Sequence, residues 1–364
     1  MDRAPDLERQ AATGDIAAQI ELGHRLAAEG QVQTARGWYA RAAQGGSRDG
    51  LRELGASLLE RPPFALQDGI RFIHDAAGQG DAAALRMCAA LTAQDASLDR
   101  RWELALDFLA RAAEHGSEQA RTELRLLAHD TNASGDSAVE DWAALRDRVD
   151  IEGWLAERTV AAISEDPGVF VIENFASKPV CDWLIAESGG RLTRTKIYSR
   201  EIGPNTVNDV RTSTEAGFDI TRWGLPVSFL RARIARLTQA SINSLENPMV
   251  LCYDPGQQYQ PHFDFLDPTA PGRQHEIATA GQRVATFLVY LNETFEGGET
   301  EFVRLGFRVR GKTGDAVMWR NLNPDGSPDR RTLHAGRPPV SGRKWLLSQW
   351  VREDYPGAAQ GRSP

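Results

Sequence analysis

The run Val284-Ala285-Thr286-Phe287-Leu288-Val289-Tyr290-Leu291 is the strongest fold signal in the C-terminal half of this chain. It carries β-branched, aromatic and apolar side chains without a charge, a composition typical of a β-strand. Turn signals such as Asp254-Pro255-Gly256 separate it from similar runs on both sides. Many short strands after a helical lead-in predict a jelly roll, a double-stranded β-helix, with flanking helices. The other β-rich runs are residues 169–172, 250–253, 307–310, 315–319 and 344–350.

A second pattern, an internal repeat, occupies residues 1–130, which are rich in Ala, Leu, Arg and Gly. Ala-Ala pairs followed by Gly recur at intervals of 31, 34 and 36 residues, from position 11 to 42, 76 and 112. The Gly after each pair suits a helix C-terminus, and a period in the thirties predicts stacked helical hairpins. The four segments are Ala11-Ala12-Thr13-Gly14, Ala42-Ala43-Gln44-Gly45, Ala76-Ala77-Gly78-Gln79-Gly80 and Ala112-Ala113-Glu114-His115-Gly116.

This repetitive half resembles Sel1-like repeats, relatives of the tetratricopeptide class, across residues 7–128. The second and third repeats are degenerate, and Pro62-Pro63 interrupts one of them. Arrays of this kind present a concave surface to a peptide or protein, so the resemblance implies a docking surface for a partner. The alternative is a helical support for the second domain that binds nothing.

The two patterns together predict an α+β chain of two domains. The helical repeat domain is expected at residues 1–130, a linker with a connecting helix at 131–166, and the jelly-roll domain at 167–364. A small, polar cluster at 131–137 marks the linker. Apolar positions at helical spacing over 142–163 predict the connecting helix.

Composition excludes several classes of function. The net charge of -8 and the pI near 5.5 argue against a broad nucleic-acid-binding surface. No stretch approaches the ~18 apolar residues of a membrane-spanning helix, and no basic stretch followed by an apolar run marks a secretory signal. Three widely spaced cysteines, Cys88, Cys181 and Cys252, favour buried thiols in a reducing compartment. We therefore expect a cytoplasmic protein without nucleic-acid or membrane partners, and the sequence leaves its oligomeric state open.

The segment Tyr259-Gln260-Pro261-His262-Phe263-Asp264 places a histidine and a carboxylate two positions apart. In a strand such positions point the same way, so His262 and Asp264 can reach one ion. His334, one of seven histidines, precedes a Gly-x-Pro-Pro-Val turn and is the candidate third ligand. Two imidazoles and one carboxylate are the ligand set of non-haem Fe(II) oxygenases, which keep positions open for reagents. The alternatives are a surface histidine, a turn carboxylate and a loop histidine.

Lys344 stands in an apolar strand beside Trp345-Leu346-Leu347. Ferrous iron that splits O2 needs a two-electron reductant, and a 2-oxo acid can supply it. The distal carboxylate of that acid needs a cation inside the barrel, where an unpaired charge is costly. We predict that Lys344 is this cation, with Tyr253 and Thr286 as hydroxyl contributors, while Arg343 points to the opposite face. A solvated strand-edge lysine, a core tyrosine and an ordinary strand threonine are the alternatives.

A series of motifs follows one order between residues 167 and 355. They are Val171-Ile172-Glu173-Asn174-Phe175, Cys181-Asp182-Trp183-Leu184-Ile185, Arg211-Thr212-Ser213, residues 253–264, residues 283–292, Gly297-Gly298-Glu299-Thr300, Leu333-His334-Ala335-Gly336, Gly342-Arg343-Lys344-Trp345 and Trp350. In this order they resemble the catalytic domain of the prolyl 4-hydroxylase family of Fe(II)- and 2-oxoglutarate-dependent dioxygenases.

The resemblance implies that the three candidate ligands bind iron. It assigns Lys344, supported by Tyr253 and Thr286, to the distal carboxylate of 2-oxoglutarate, and it places Arg211 and Trp350 near the substrate channel. The implied cofactors and co-substrates are Fe(2+), 2-oxoglutarate and O2, with L-ascorbate re-reducing the iron. Because the chemistry is centred on the metal, no side chain is predicted as a catalytic base.

The implied reaction is hydroxylation of a C–H bond, coupled to oxidative decarboxylation of 2-oxoglutarate to succinate and CO2. Long polar loops at 196–214 and 266–282 are where substrate recognition is expected. We predict a prolyl or other residue of a peptide or protein as substrate, docked with help from the repeats. Two alternatives stay open: a hydroxylase of a free amino acid or small metabolite, and a repeat scaffold whose oxygenase half senses oxygen or iron.

Overall fold

The computed structural model describes residues 4–61, 64–129, 141–195, 197–199, 203–206 and 209–353. The chain divides into two compact units, one of Met1–Ile151 with Asp219–Ser228 and one of Glu152–Phe218 with Phe229–Arg362. The polar cluster at 131–137 that marks the predicted linker, the Pro62-Pro63 pair and the loop residues Lys196, Arg200 and Asn208 lie outside the described residues. The domain limits given above stay a prediction.

Helices build most of the first unit, and each of the first eight packs against the next along the chain. This arrangement confirms the predicted helical hairpins. Their bounds are α1 (Ala4–Ala12), α2 (Ile16–Ala28), α3 (Val32–Gln44), α4 (Arg48–Glu60), α5 (Leu66–Gly78), α6 (Ala82–Gln94), α7 (Arg101–Glu114) and α8 (Glu118–His129). Five further helices follow, namely α9 (Trp142–Asp147), α10 (Ile151–Leu155), α11 (Lys178–Gly189), α12 (Gly224–Thr238) and α13 (Arg273–Ala280).

The repeated Ala-Ala motif marks the end of one helix and the start of the next. After each pair a glycine adopts a positive φ, between 77° and 98°, which costs little only for glycine. The following Asp or Ser then accepts a hydrogen bond from a backbone N–H of the next helix, at 2.7–3.2 Å. In the second repeat the left-handed residue is Gly46, one position beyond the quoted motif. The four pairs are Gly14 and Asp15, Gly46 and Ser47, Gly80 and Asp81, and Gly116 and Ser117.

Small residues let neighbouring helices approach closely in this array. A Cβ added to Gly50 of α4 would lie 2.6 Å from the backbone N of Ala43 in α3. A Cβ on Gly55 would lie 2.9 Å from the carbonyl oxygen of Gly69, across the α4–α5 contact. Packing at this distance excludes any larger side chain, which explains the high Ala and Gly content of this half.

The second unit holds two antiparallel sheets with a shared apolar core, which confirms the jelly-roll prediction. The larger sheet has the order β1-β2-β13-β9-β16-β7-β6-β3, the smaller β12-β11-β14-β8, and two further strand pairs are β10-β15 and β4-β5. The strands are β1 (Val160–Ser164), β2 (Val169–Ile172), β3 (Thr193–Arg194), β4 (Ile197–Ser199), β5 (Gly203–Thr206), β6 (Thr214–Gly217), β7 (Met249–Tyr253), β8 (Tyr259–His262), β9 (Arg283–Tyr290), β10 (Glu296–Gly297), β11 (Thr300–Phe302), β12 (Phe307–Val309), β13 (Ala316–Arg320), β14 (His334–Gly336), β15 (Pro339–Ser341) and β16 (Lys344–Arg352).

Strand β9, which covers most of the uncharged run at 284–291, lies between β13 and β16 in the larger sheet. Leu288 and Tyr290 on one face of β9 join Phe302 of β11 in a core that spans both sheets. On β16, alternate residues from Lys344 to Trp350 line one cavity inside this core. The period of two along the strands therefore sets which side chains face the site.

The helix predicted over residues 142–163 is partly wrong. Helices α9 and α10 occupy its first part, but Val160–Ser164 is strand β1, antiparallel to β2. The β-branched Val160 pairs with Ile172 of β2, and Ile163 lies at the register shift between Ala162 and Ser164. Pairing with β2 outweighs the helical spacing of this segment.

The three cysteines are buried and free, as predicted. Burial raises the pKa of Cys88 to about 12 and that of Cys252 to about 11, so both thiols stay protonated. Among the described helices, none combines the length and apolar character that crossing a bilayer requires.

Candidate metal centre

Strands β8 and β14 bring the three predicted ligands together. His262 of β8 and His334 of β14 are directly paired in the antiparallel ladder. Asp264 follows two residues after His262, and ligand atoms of all three side chains lie within 4.8 Å of one another. The geometry thus joins residues from two distant parts of the sequence into one cluster.

The two histidines are held by the same local contact. Nδ1 of His262 lies 2.8 Å from the carbonyl oxygen of Gln260, and Nδ1 of His334 lies 3.0 Å from that of Thr332. A carbonyl oxygen can only accept, so each Nδ1 carries the hydrogen and donates it. The lone pair of each neutral ring therefore sits on Nε2, which lies 3.6 Å (His262) and 3.5 Å (His334) from the Asp264 carboxylate oxygens.

The electrostatics of the cluster favour a cation. Burial, and then the charge of a protonated His262, lower the pKa of His334 to about 4. Burial raises the pKa of Asp264, but both histidine rings and the Thr286 hydroxyl outweigh it and hold that pKa well below its ordinary range. A neutral His334 beside an ionised Asp264 matches the protonation states that metal binding requires. Two nitrogen donors and one carboxylate, with Asp264 and His334 buried and His262 half-buried, thus fit a divalent ion of the first transition row.

Aromatic side chains enclose both rings. Tyr259 stacks on His262, with ring centres 3.3 Å apart and planes 15° apart. Trp319 meets His334 edge-on, with centres 4.5 Å apart. The guanidinium of Arg211 lies 4.7 Å from the Tyr259 ring centre. This packing restricts ring rotation and limits water access to the cluster.

Lys344 is buried, with 1% of its surface exposed, so the solvated strand-edge alternative is wrong. Its Nζ lies 5.4 Å from the ring centre of Tyr253 and 5.7 Å from that of Tyr290. Burial lowers the pKa of Lys344 to about 7, although Glu299 acts in the opposite direction. The side chain lines the same small cavity as His262 and His334, where an anion would stabilise its charged form.

Thr286 has different surroundings from those that the sequence suggested, and Thr300 lines the cavity instead. The Thr286 hydroxyl donates to Asp264 Oδ2 at 2.7 Å, so its proton is committed to a candidate ligand and not to a co-substrate. Thr300, which the sequence analysis did not assign, lines the cavity with Lys344, and its hydroxyl lies 3.0 Å from that of Tyr290. Its place in the Gly297-Gly298-Glu299-Thr300 motif was the available signal.

Arg211 and Trp350 both line a larger cavity of about 420 Å³ that reaches His262 and Asp264. The Arg283 guanidinium lies 3.6 Å from the Trp350 ring centre and is held by Glu246 at 2.7 and 2.9 Å. This stack fixes the indole on the wall of the cavity.

The loop predicted at 266–282 contains helix α13, so it is not irregular throughout. No residue of α13 is buried, and its polar sequence gives no apolar stripe from which a helix could be predicted. The helix nevertheless contributes to the larger cavity through Arg273.

Residues 248–352 match the family model of the 2OG-Fe(II) oxygenase superfamily. Probable prolyl 4-hydroxylase 7 of Arabidopsis thaliana is 31% identical over 210 residues, which cover 53% of this chain and 65% of that protein. Prolyl 4-hydroxylase 1 of the same plant is 32% identical over 205 residues, covering 52% of this chain and 71% of the plant protein. The chain thus spans about two thirds of the length of these relatives.

The helical half has a likeness among solved structures. A Sel1 repeat protein from Oxalobacter formigenes shows 25% sequence identity and a TM-score of 0.29, covering 34% of this chain and 97% of its own. The repeat array is shown by the regular packing of α1–α8, in which each helix packs against the next.

Proposed function

The chain belongs to the prolyl 4-hydroxylase family of 2-oxoglutarate- and Fe(II)-dependent oxygenases, and we propose accordingly that it hydroxylates a prolyl or other residue of a peptide or protein. The proposed reaction consumes 2-oxoglutarate and O2 and releases succinate and CO2. One observation carries the proposal: the cluster of the half-buried His262 with the buried Asp264 and His334 lines the same cavity as the buried Lys344.

In this proposal the three clustered side chains bind Fe(2+) through the Nε2 atoms of His262 and His334 and the carboxylate of Asp264. Iron bound there would supply activation of O2 for oxidation of a C–H bond. The backbone carbonyls of Gln260 and Thr332 keep both Nε2 atoms turned toward Asp264. Carbonyl partners of this kind orient a ligand ring and raise its basicity.

Lys344 is the proposed partner of the distal carboxylate of 2-oxoglutarate. A buried ammonium beside aromatic rings is costly without a counter-charge, and a dicarboxylate that reaches in from the metal would supply one. Thr300 and Tyr253 border the same cavity and offer hydroxyl groups to that carboxylate. Thr286, by contrast, is proposed to act on Asp264.

The larger cavity is the proposed site for the oxidised residue. Arg211, 4% exposed, and the Trp350 indole are both parts of a wall that extends to the metal cluster. We propose that they position an extended peptide there, as flat aromatic and guanidinium surfaces suit a chain without regular hydrogen bonds.

The helical array is the proposed docking surface for the rest of a peptide or protein substrate. Phe64, Leu66 and Ile70 support this role because 42, 38 and 38% of their surfaces are exposed around the start of α5. Exposed apolar side chains that lie close together are typical of protein contacts.

The test is turnover by the full chain with Fe(2+), 2-oxoglutarate and L-ascorbate. Proline-containing peptides, free proline and small metabolites are offered separately, and succinate and the mass of each substrate are measured. We expect succinate with a peptide, together with a gain of one oxygen atom on a residue of that peptide. His262→Ala should abolish both signals. The matched control is His115→Ala, which alters an exposed histidine at the C-terminal end of α7 and should keep them.

The outcomes separate the alternatives. Oxidation of a free amino acid or metabolite alone would contradict the peptidyl substrate. Absence of succinate from wild type with every substrate, together with tight binding of a partner by α1–α8, would favour a repeat scaffold that senses oxygen or iron.

A further inference from the structure

A buried hydrogen-bonded chain leads from the end of β13 through β9 to the carboxylate of Asp264. The Thr286 hydroxyl lies 2.7 Å from Asp264 Oδ2, and the Asn321 amide nitrogen lies 3.0 Å from Thr286 Oγ1. Thr286 is 1% exposed, Asn321 is 0% exposed and Asp264 is 6% exposed. The chain is therefore shielded from water along its whole length.

Its direction follows from which groups can donate. An ionised carboxylate oxygen only accepts, so Thr286 must use its single proton on Asp264. The Thr286 oxygen can then only accept from Asn321, which requires the amide nitrogen, and not Oδ1, to face it. Hydrogen bonding thus runs one way, from Asn321 to Thr286 to Asp264.

The backbone holds the first member of this chain in place on both sides. The Asn321 N–H donates to the carbonyl of Val284 at 2.9 Å, and the Asn321 carbonyl accepts from the N–H of Asp329 at 2.9 Å. With its main chain fixed and its side chain buried, the amide has little freedom to turn away from Thr286.

We propose that Thr286 and Asn321 are positioning residues that make Asp264 a one-oxygen metal ligand. Each Asp264 oxygen lies close to one histidine: Oδ1 is 3.6 Å from His262 Nε2, and Oδ2 is 3.5 Å from His334 Nε2. The Thr286 hydroxyl donates to Oδ2 and lowers the capacity of that oxygen to bind an ion, so Oδ1 becomes the coordinating atom. Binding through one oxygen keeps a coordination position that a two-oxygen carboxylate would fill. This inference rests on the proposed function of the cluster, and it assigns roles to two residues outside the ligand set.

Metal binding tests the inference without turnover. Affinities for Mn(2+) and Co(2+) are measured by calorimetry for the wild-type full chain and for Thr286→Val, which keeps the shape but removes the donor. We expect a loss of about 10–100-fold, the usual effect of removing a partner of a metal ligand. Thr286→Ser keeps a hydroxyl and should restore the affinity. Asn321→Leu should lose less metal affinity than Thr286→Val, because Thr286 can still donate to Asp264.

The absorption spectrum of bound Co(2+) reports coordination number and provides a readout that a merely structural role would not move. We expect it to change in Thr286→Val and to stay as in wild type in Thr286→Ser. The matched control is Thr238→Val, whose hydroxyl contacts the Ile234 carbonyl of α12 at 2.7 Å and should leave metal binding unchanged. Thermal unfolding of the metal-free variants checks that each one folds.

These measurements separate a failure of the proposed function from a failure of the positioning role. If wild type binds neither metal, the proposed function fails. If wild type binds both and Thr286→Val binds them with the same affinity and the same Co(2+) spectrum, the positioning role alone is overturned. If Thr286→Val does not fold, Asn321→Leu is compared with wild type in its place. Unchanged metal affinity and an unchanged Co(2+) spectrum in Asn321→Leu would overturn the positioning role.

Discussion

Lys344 on β16 is the directly paired neighbour of Tyr253 on β7, and its Nζ lies 5.4 Å from the centre of the Tyr253 ring. The pairing places a positive charge inside the barrel, on the same face of β16 as Leu346 and Ser348. A charge in this position is destabilising by itself and becomes useful only when an anion enters the cavity.

Lys344→Met should weaken the use of 2-oxoglutarate. Loss of one partner of a buried charged contact costs about 2–5 kcal/mol, so we expect KM for 2-oxoglutarate to rise about 100-fold. Affinity for Mn(2+) should stay the same, because the ligands are unchanged. Arg343→Met is the matched control, since Arg343 pairs with Asp254 at the surface and should leave KM unaltered. Succinate formation at increasing 2-oxoglutarate measures the effect, and an unchanged KM would show that another cation binds the carboxylate.

The same lysine predicts a pH dependence of stability in the absence of 2-oxoglutarate. Burial lowers the pKa of Lys344 to about 7 from an ordinary value of 10.5, so between these values the unfolded chain binds more protons than the folded one. Stability therefore rises with pH across that window, and below it the folded protein bears the full cost of the buried charge. Lys344→Met lacks this cost. Its gain in Tm over wild type should be greatest below pH 7 and should shrink toward about pH 10, the ordinary pKa of a lysine; a gain that does not vary with pH would contradict the depressed pKa.

Gly298 lies against the Phe295 ring and the aliphatic part of Lys344, and its replacement should destabilise the fold. It has φ of +69°, and an added Cβ would lie 3.0 Å from the Phe295 ring and 3.3 Å from Lys344 Cδ. Gly306 has φ of +74° but nothing within 4 Å, so Gly306→Ala measures backbone strain alone. We expect Gly306→Ala to lower the free energy of unfolding by about 1–2 kcal/mol. Gly298→Ala should lower it by a further 1–3 kcal/mol or so and should raise KM for 2-oxoglutarate. Urea unfolding compares the two, and equal costs would show that the neighbours can move.

Asp81 should contribute more to the stability of the helical array than Asp15, the equivalent residue of the first repeat. It accepts from the Ala84 N–H at 2.7 Å and pairs with Arg52 at 2.6 Å, while 3% exposed. Asp15 makes the same contact to Ala18 at 2.9 Å but is exposed. We expect Asp15→Ala to lower the free energy of unfolding by about 1 kcal/mol, the usual cost of losing a helix N-cap. Asp81→Ala should cost about 3 kcal/mol, because it also removes one ion-pair partner of the half-buried Arg52. Calorimetric unfolding of the full chain separates these values, and similar losses would mean that Asp49 and Glu53 compensate Arg52.

Sequence patterns predicted the elements whose signals are local. The Ala-Ala motif indicated the hairpins because a helix end, a left-handed glycine and a cap follow one another within a few residues. Helix α13 escaped prediction because it buries no side chain and shows no apolar stripe. The end of the predicted connecting helix became β1, because pairing with β2 stabilises a β-branched segment more than its own helical spacing does.

Residue order alone was enough to predict that His262 and Asp264 face the same way, since strand alternation is a property of the backbone. Which partners each side chain contacts inside the barrel was decided only by the folded arrangement. Thr286 meets Asp264 and Asn321, whereas Thr300 lies in the cavity with Lys344. These contacts join residues that are distant along the chain, and their partners depend on strand order and register, which a pattern of residue types along one strand does not contain.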